Sequence, residues 1–336
     1  MKKNIINKIV IFVLLCALTA LTACSSKQSG TGKNKTLVFA DAGWDSIRFH
    51  NDVATFILEK GYGYKTDVLS GSSATTFTGL RNGDIDILME LWGENIQDIY
   101  NEAIKNGEIV DVSINFDDNA QGLYVPKYVI SGDPARGIKP VAPDLKTVKD
   151  LAKYKDVFKD PEDPSKGRIY GSPSGWSVDK MLREKVKAYG LDKTYNYFGP
   201  GSDSALSASI ASAVEKGEPW VGYYWEPTWV IGKYDMVLLE DEPYSKEKWE
   251  NGYACEFPSQ KVTIAVNKDV VNKAPDAVEF LKKYKTSSDL TSKALAYMQD
   301  NNVGTKEAAE WFLKENEDIW TKWVPDDIAS KVKQAL

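Results

Sequence analysis

Thr36-Leu37-Val38-Phe39-Ala40-Asp41-Ala42-Gly43-Trp44-Asp45-Ser46 is the stretch on which the fold turns. Six residues rich in β-branched and aromatic side chains, Thr36 to Asp41, read as a strand. Ala42 to Asp45 is a loop. Ser46 is placed to cap a helix that runs to about Lys60, and Gly61 is placed to stop it. The same alternation continues downstream. Tyr64 to Leu69 reads as a strand, Ser73 to Asn82 as a helix, Ile85 to Leu91 as a strand and Ile96 to Asn106 as a helix. Strand–helix alternation of this kind implies an α/β fold with a mostly parallel sheet.

The middle and the end of the chain repeat the pattern. Strands are expected at Gly122–Ile130, Arg168–Gly171, Trp220–Trp225, Met236–Glu240 and Lys261–Asn267. Helices are expected at Ser177–Tyr189, Ser204–Lys216, Ala274–Lys285, Ser287–Asn301 and Thr305–Glu315. Pro126 lies inside one strand, which suits an edge or a crossover between domains. Crossings near Tyr124–Tyr128 and Tyr234–Glu240 divide the chain into two lobes with a cleft between them. Residues 36–123 and 236–336 would form a discontinuous first lobe, and 124–235 the second.

The N-terminus reads as a targeting segment. Lys2, Lys3 and Lys8 precede the apolar run Ile9–Ala20, which ends in Leu21-Thr22-Ala23-Cys24. That ending has the form of a bacterial lipobox, with residues 1–23 as the leader and Cys24 as the lipidated residue. Residues 24–35 lack apolar side chains and read as a flexible tether. The protein would then be extracytoplasmic and lipid-anchored to the outer face of the cell membrane.

Composition excludes several function classes. The formal charge of −6 becomes −9 when the three leader lysines are lost. An acidic chain lacks the basic face that nucleic acid requires. His50 is the only histidine, which removes most metal sites and most nucleophile–base pairs. With Cys16 in the leader and Cys24 lipidated, Cys255 stands alone as a buried thiol. No cofactor is implied. Gly171-Ser172-Pro173-Ser174-Gly175 does not place its serine as a nucleophile elbow does, so an enzyme is not expected.

Aromatic positions carry the functional reading. Trp44 follows the first strand, Trp92 follows Ile85–Leu91, and Trp225 ends Trp220–Trp225. Ligands of open α/β sheets lie beyond the carboxyl ends of strands. Three strands thus bring an indole to one place, and Tyr124 would face the same cleft from the crossover. A quaternary ammonium has no N–H to donate, so ring faces suit it. Each ring contributes about 0.5 to 2 kcal/mol. Micromolar binding needs about 8 kcal/mol net, so a cage alone is marginal and a second anchor is expected. Gly171-Ser172-Pro173-Ser174-Gly175-Trp176 follows a strand and opens a helix, whose free N–H groups would hold a carboxylate. His50 lies one turn beyond Ser46 and reads as a satisfied core histidine.

These segments have a family likeness. Ala42-Gly43-Trp44-Asp45-Ser46, Met89-Glu90-Leu91-Trp92, Gly122-Leu123-Tyr124-Val125-Pro126, Gly171-Ser172-Pro173-Ser174-Gly175-Trp176 and Tyr223-Tyr224-Trp225-Glu226-Pro227 occur in order. From Thr36 onward the chain resembles the substrate-binding proteins of glycine betaine/choline ABC transporters. The resemblance implies a type II periplasmic-binding-protein-like clamshell, acting as a monomer with permease and ATPase subunits in osmoprotectant uptake. It implies an aromatic cage of Trp44, Trp92, Tyr124 and Trp225. It places Asp45 and Ser46 beside the cage, and Ser172, Ser174, Gly175 and Trp176 around the ligand's polar tail. A sugar or cationic amino acid ligand, or a surface sensor on the same fold, remains the alternative.

Overall fold

The computed structural model describes residues 36–258 and 260–336. The leader, the tether and Cys24 lie outside the described residues. Ten strands form two five-stranded sheets. The first contains β1 (Thr36–Asp41), β2 (Lys65–Ser70), β3 (Ile87–Leu91), β4 (Ile109–Phe116) and β10 (Val262–Asn267), in the order β2-β1-β3-β10-β4. The second contains β5 (Gln121–Pro126), β6 (Gly167–Tyr170), β7 (Tyr195–Phe198), β8 (Gly222–Trp225) and β9 (Met236–Leu238), in the order β7-β6-β8-β5-β9. The α/β two-lobe clamshell implied by the sequence is present.

The sheets are mixed, not mostly parallel. β1 runs parallel to β2 and β3, while β10 runs antiparallel to β3 and β4. In the second sheet β6 is parallel to β7 and β8, while β5 is antiparallel to β8 and β9. The reversed strands, β10 and β5, are the first that the chain lays down after passing between lobes. They enter from the opposite end.

The lobe boundaries also differ from the sequence reading. The first crossing falls at residues 117–120, so Gln121–Leu123 belong to the second sheet. Met236–Leu238 pairs with β5 and therefore stays in the second lobe. The chain beyond it is still pinned there. The Lys185 ammonium donates to Asp241 at 2.5 Å and to the Cys255 carbonyl. The chain therefore returns to the first lobe only after Cys255. Cys255 itself is buried with a free thiol.

Eight helices matter here: α1 (Asp45–Phe56), α2 (Ser73–Asn82), α3 (Gln97–Lys105), α4 (Val178–Ala188), α5 (Asp203–Lys216), α6 (Ser288–Asn301), α7 (Thr305–Glu315) and α8 (Asp326–Ala335). α1 buries Ile47, Phe49, Val53 and Ala54, and Phe49 meets Phe312 of α7 at 5.5 Å. Burying each large apolar side chain contributes about 1.5 to 3 kcal/mol. Trp44, not Ser46, is the N-cap of α1, and the Ser46 hydroxyl is used elsewhere. Gly61 does not end this segment. A π-helical stretch, Ile57–Tyr62, runs through it and stops at Gly63 with φ 78°. Gly61 instead lets α8 approach: a Cβ there would lie 2.6 Å from Ile328.

Candidate functional site

A cavity of about 60 Å³ lies between the carboxyl ends of the two sheets. The first lobe lines it with Trp44, Phe77, Glu90 and Trp92, and the second with Trp176, Tyr223 and Trp225. Trp44 is delivered by the turn after β1 and Trp92 by the turn after β3. Trp225 closes β8. Trp176 precedes α4 and stands between the other indoles. Its ring meets Trp44 edge-on at 5.6 Å and Trp225 edge-on at 5.0 Å. Tyr223 stacks alongside Trp225 at 5.9 Å.

Trp176 thus supplies a wall of the box, although the sequence placed it with the polar tail. Tyr124 is not among the lining residues. Register explains this. Leu123 pairs with Tyr223 and Gln121 with Trp225, while Tyr124 pairs with Gly222. Paired residues share a face and neighbours alternate. Tyr223 and Trp225 face the cavity, so Tyr124 lies on the other side of the sheet. Its hydroxyl donates to Glu226 at 3.3 Å.

The remaining expected residues are also displaced. Asp45 lines a smaller space with Asp203 and Tyr224. Its N–H donates to Asp203 across the lobe gap at 3.3 Å. Ser172 is fully buried and its hydroxyl has no hydrogen-bond partner. Ser174 and Gly175 are exposed and stand outside the lining. Ser73, Thr76, Asn95 and Ser177 are the uncharged polar residues that do line the cavity.

Glu90 is the functional candidate that sequence reasoning missed. It is the only charged residue among those lining the cavity and is 1% exposed. Its Oε2 accepts hydrogen bonds from Trp44 Nε1 at 2.6 Å, Ser46 Oγ at 3.1 Å and Trp92 Nε1 at 3.5 Å. Two indoles are therefore held by their N–H edges, which fixes where their faces point. A carboxylate on an indole N–H also pushes electron density toward the ring face, where a cation sits. Burial raises the Glu90 carboxyl to about 7, against the pull of its three donors.

Behind Glu90 is His50. Its Nε2 lies 3.4 Å from Glu90 Oε1, close enough for an ion pair if the ring were charged. It is not charged at neutral pH, because complete burial lowers it to about 3. The pair is a carboxyl group beside a neutral imidazole, and His50 is a core residue one step removed from the cavity.

A two-lobe cleft walled by indoles around one buried carboxyl is the geometry of a solute-binding protein. The chain belongs to the family described as the substrate binding domain of ABC-type glycine betaine transport system, which matches residues 35–315. It is similar to the trimethylamine N-oxide-binding protein of Pelagibacter ubique, 23% identical over 318 residues that span 94% of this chain and 98% of that one. It is also similar to the glycine betaine-binding periplasmic protein OusX of Dickeya dadantii, 26% identical over 60% of this chain and 62% of that protein. Among solved structures, an ABC-transporter choline binding protein in complex with choline superposes with a TM-score of 0.71. The identity is 22%, over 92% of this chain and 99% of that one. Lactococcal OpuAC in its closed, glycine betaine-bound conformation gives 0.68, at 18% identity over 87% and 100%. The family likeness read from the sequence is borne out. No helix among the described residues is long and apolar enough to cross a membrane.

Proposed function

We propose that this protein captures a small quaternary ammonium compound outside the cytoplasm and delivers it to an ABC transporter. Glycine betaine, choline, carnitine and proline betaine are the candidate ligands, and trimethylamine N-oxide joins them through the relative that spans nearly the whole chain. The protein acts as a lipid-anchored monomer, tethered at Cys24, and hands its ligand to permease and ATPase subunits. It performs no chemistry on that ligand. Its single histidine is buried and neutral, and Ser174 is exposed and stands outside the cavity lining.

The observation that carries this reading is the arrangement of Trp44, Trp92, Trp176 and Trp225 around one cavity whose one acidic side chain is Glu90. Ring faces and one carboxyl group complement a methylated cation, and Ser73, Thr76, Asn95 and Ser177 are few partners for the many hydroxyls of a sugar. The cavity, about 60 Å³ and open on one side, is well under the roughly 150 Å³ that accommodates benzene in an apolar cavity. It suits a head group of a few heavy atoms. A longer ligand extends past Ser177 and Asn95 into the wider space lined by Lys180 and Trp249.

Calorimetric titration tests the proposal. One or more of the methylated amines gives saturable heat with micromolar or tighter Kd, and maltose and arginine give none. Heat with only the sugar or only arginine overturns the reading.

A further inference from the structure

Glu90 faces no cation. Trp44, Ser46 and His50 approach it from β1's turn and from α1, and Trp92 from the turn after β3. Tyr284 stands behind His50, its hydroxyl 2.8 Å from Nδ1. No lysine or arginine among the described residues pairs with Glu90. Oε1 has no hydrogen bond within the usual limits. Asp45 and Asp203, the other acids near this end of the cleft, face one another.

We infer that His50 is a positioning residue for Glu90, and that capture of a cation is coupled to release of the Glu90 carboxyl proton to solvent. The inference rests on the ligand reading above and adds to it. In the tautomer this inference assigns, the Tyr284 hydroxyl donates to Nδ1 and the one ring proton of neutral His50 sits on Nε2, 3.4 Å from Oε1 and 3.5 Å from the Thr291 hydroxyl. That N–H stabilises the ionised carboxyl and not the protonated one. A buried carboxyl with neutral neighbours holds its proton near neutral pH. A cation entering the box supplies the missing charge and lowers the affinity of Glu90 for that proton. The Glu90 O–H bond breaks, the electron pair stays on the carboxylate, and the proton leaves to buffer.

Choline is the probe, because it keeps a fixed positive charge from pH 5 to 8. Titration of the mature chain in two buffers of different ionisation enthalpy reads both Kd and the protons released. Below a midpoint, Kd weakens about tenfold per pH unit and release approaches one proton, as single-site linkage requires. Glu90→Gln flattens the profile. His50→Leu moves the midpoint up, by about one pH unit at most, because it removes the polar N–H nearest to Oε1. His50→Gln, whose amide can reach the same oxygen, moves it back. Tyr284→Phe, which frees the ring to take the other tautomer, shifts it the same way as His50→Leu and serves if that variant does not fold. A flat wild-type profile, or a midpoint unmoved by both His50→Leu and Tyr284→Phe, overturns the inference and leaves the ligand assignment standing. A slope abolished by Asp203→Asn alone assigns the proton to the interlobe acids and also overturns it. Absence of choline, glycine betaine and trimethylamine N-oxide binding at every pH overturns the ligand assignment instead.

Discussion

At the residue scale, the indoles are not equivalent. Trp44 and Trp92 are fixed at their N–H edges by Glu90, whereas Trp176 and Trp225 are fixed by contact with each other and with Trp44. Trp176 bridges the two lobes through ring contacts alone. Trp176→Ala therefore removes one face and loosens two others. It should weaken binding of the best amine by more than the roughly 1 to 2 kcal/mol expected for Trp92→Ala or Trp225→Ala. Tyr124→Phe, on the far side of β5, should change Kd by less than about twofold. Equal losses from Trp176→Ala and Tyr124→Phe, measured by titration, would mean that the cavity is not where the ligand sits. Trp44, Trp92 and Trp225 were legible because each follows a strand. Tyr124 was not, since alternation along a strand sends neighbours to opposite faces and nothing local says which is which. Glu90 left a signal that went unread: a lone acid inside the fully buried run Ile87–Leu91 has no bland explanation in a core strand.

Among the elements, the strands that carry the box and the long helices were readable from periodicity and punctuation. α2 and α7 fall where their flanking residues place them. The strands β4 and β7 and the helix α8 were not. Ile109–Phe116 alternates apolar and polar side chains and could have been read as a strand. Tyr195–Phe198 is too short and too aromatic to declare a period. α8 has a clear i, i+4 pair, Ile328 and Val332, but its partner is visible only in three dimensions. That partner is Gly61, which local reading takes for a helix stop. Its role is close approach, and this is testable. Gly61→Ala puts a methyl into space held by Ile328 and Val332 and should lower stability by about 1 to 3 kcal/mol, read by chemical denaturation. Gly63→Ala meets no neighbour but keeps the left-handed backbone, φ 78°, so its cost should be about 1 kcal/mol. A stabilising Gly61→Ala would show that α8 does not pack here.

For the whole molecule, the two lobes meet through the box and through a second contact behind it, where the first turns of α1 and α5 bring Asp45 against Asp203. Arg48 bonds Asp41 at 3.0 Å and Asp45 at 3.4 Å, so it serves the first lobe's acids directly. Burial, aided by the charge on Asp45, raises Asp203 to about 7. The sign follows from linkage. A carboxyl whose folded-state value is raised binds more protons folded than unfolded. Its contribution is present below its ordinary value of 3.8 and is lost as pH rises through about 7. Glu90 acts in the same sense. His50, lowered to about 3, acts in the opposite sense, its contribution being lost as pH falls below 6.5. Asp203→Asn keeps an oxygen to accept the Asp45 N–H and removes the charge. The variant should match the wild type only below about pH 4 and exceed it by a growing margin up to pH 8. One kcal/mol corresponds to about 2 to 4 °C in a chain of this class. Thermal unfolding of the ligand-free protein at both pH values measures the difference. A variant less stable than the wild type at pH 8 would mean that Asp203 is ionised in the assembled molecule and that the lobes are held by its charge instead of in spite of it.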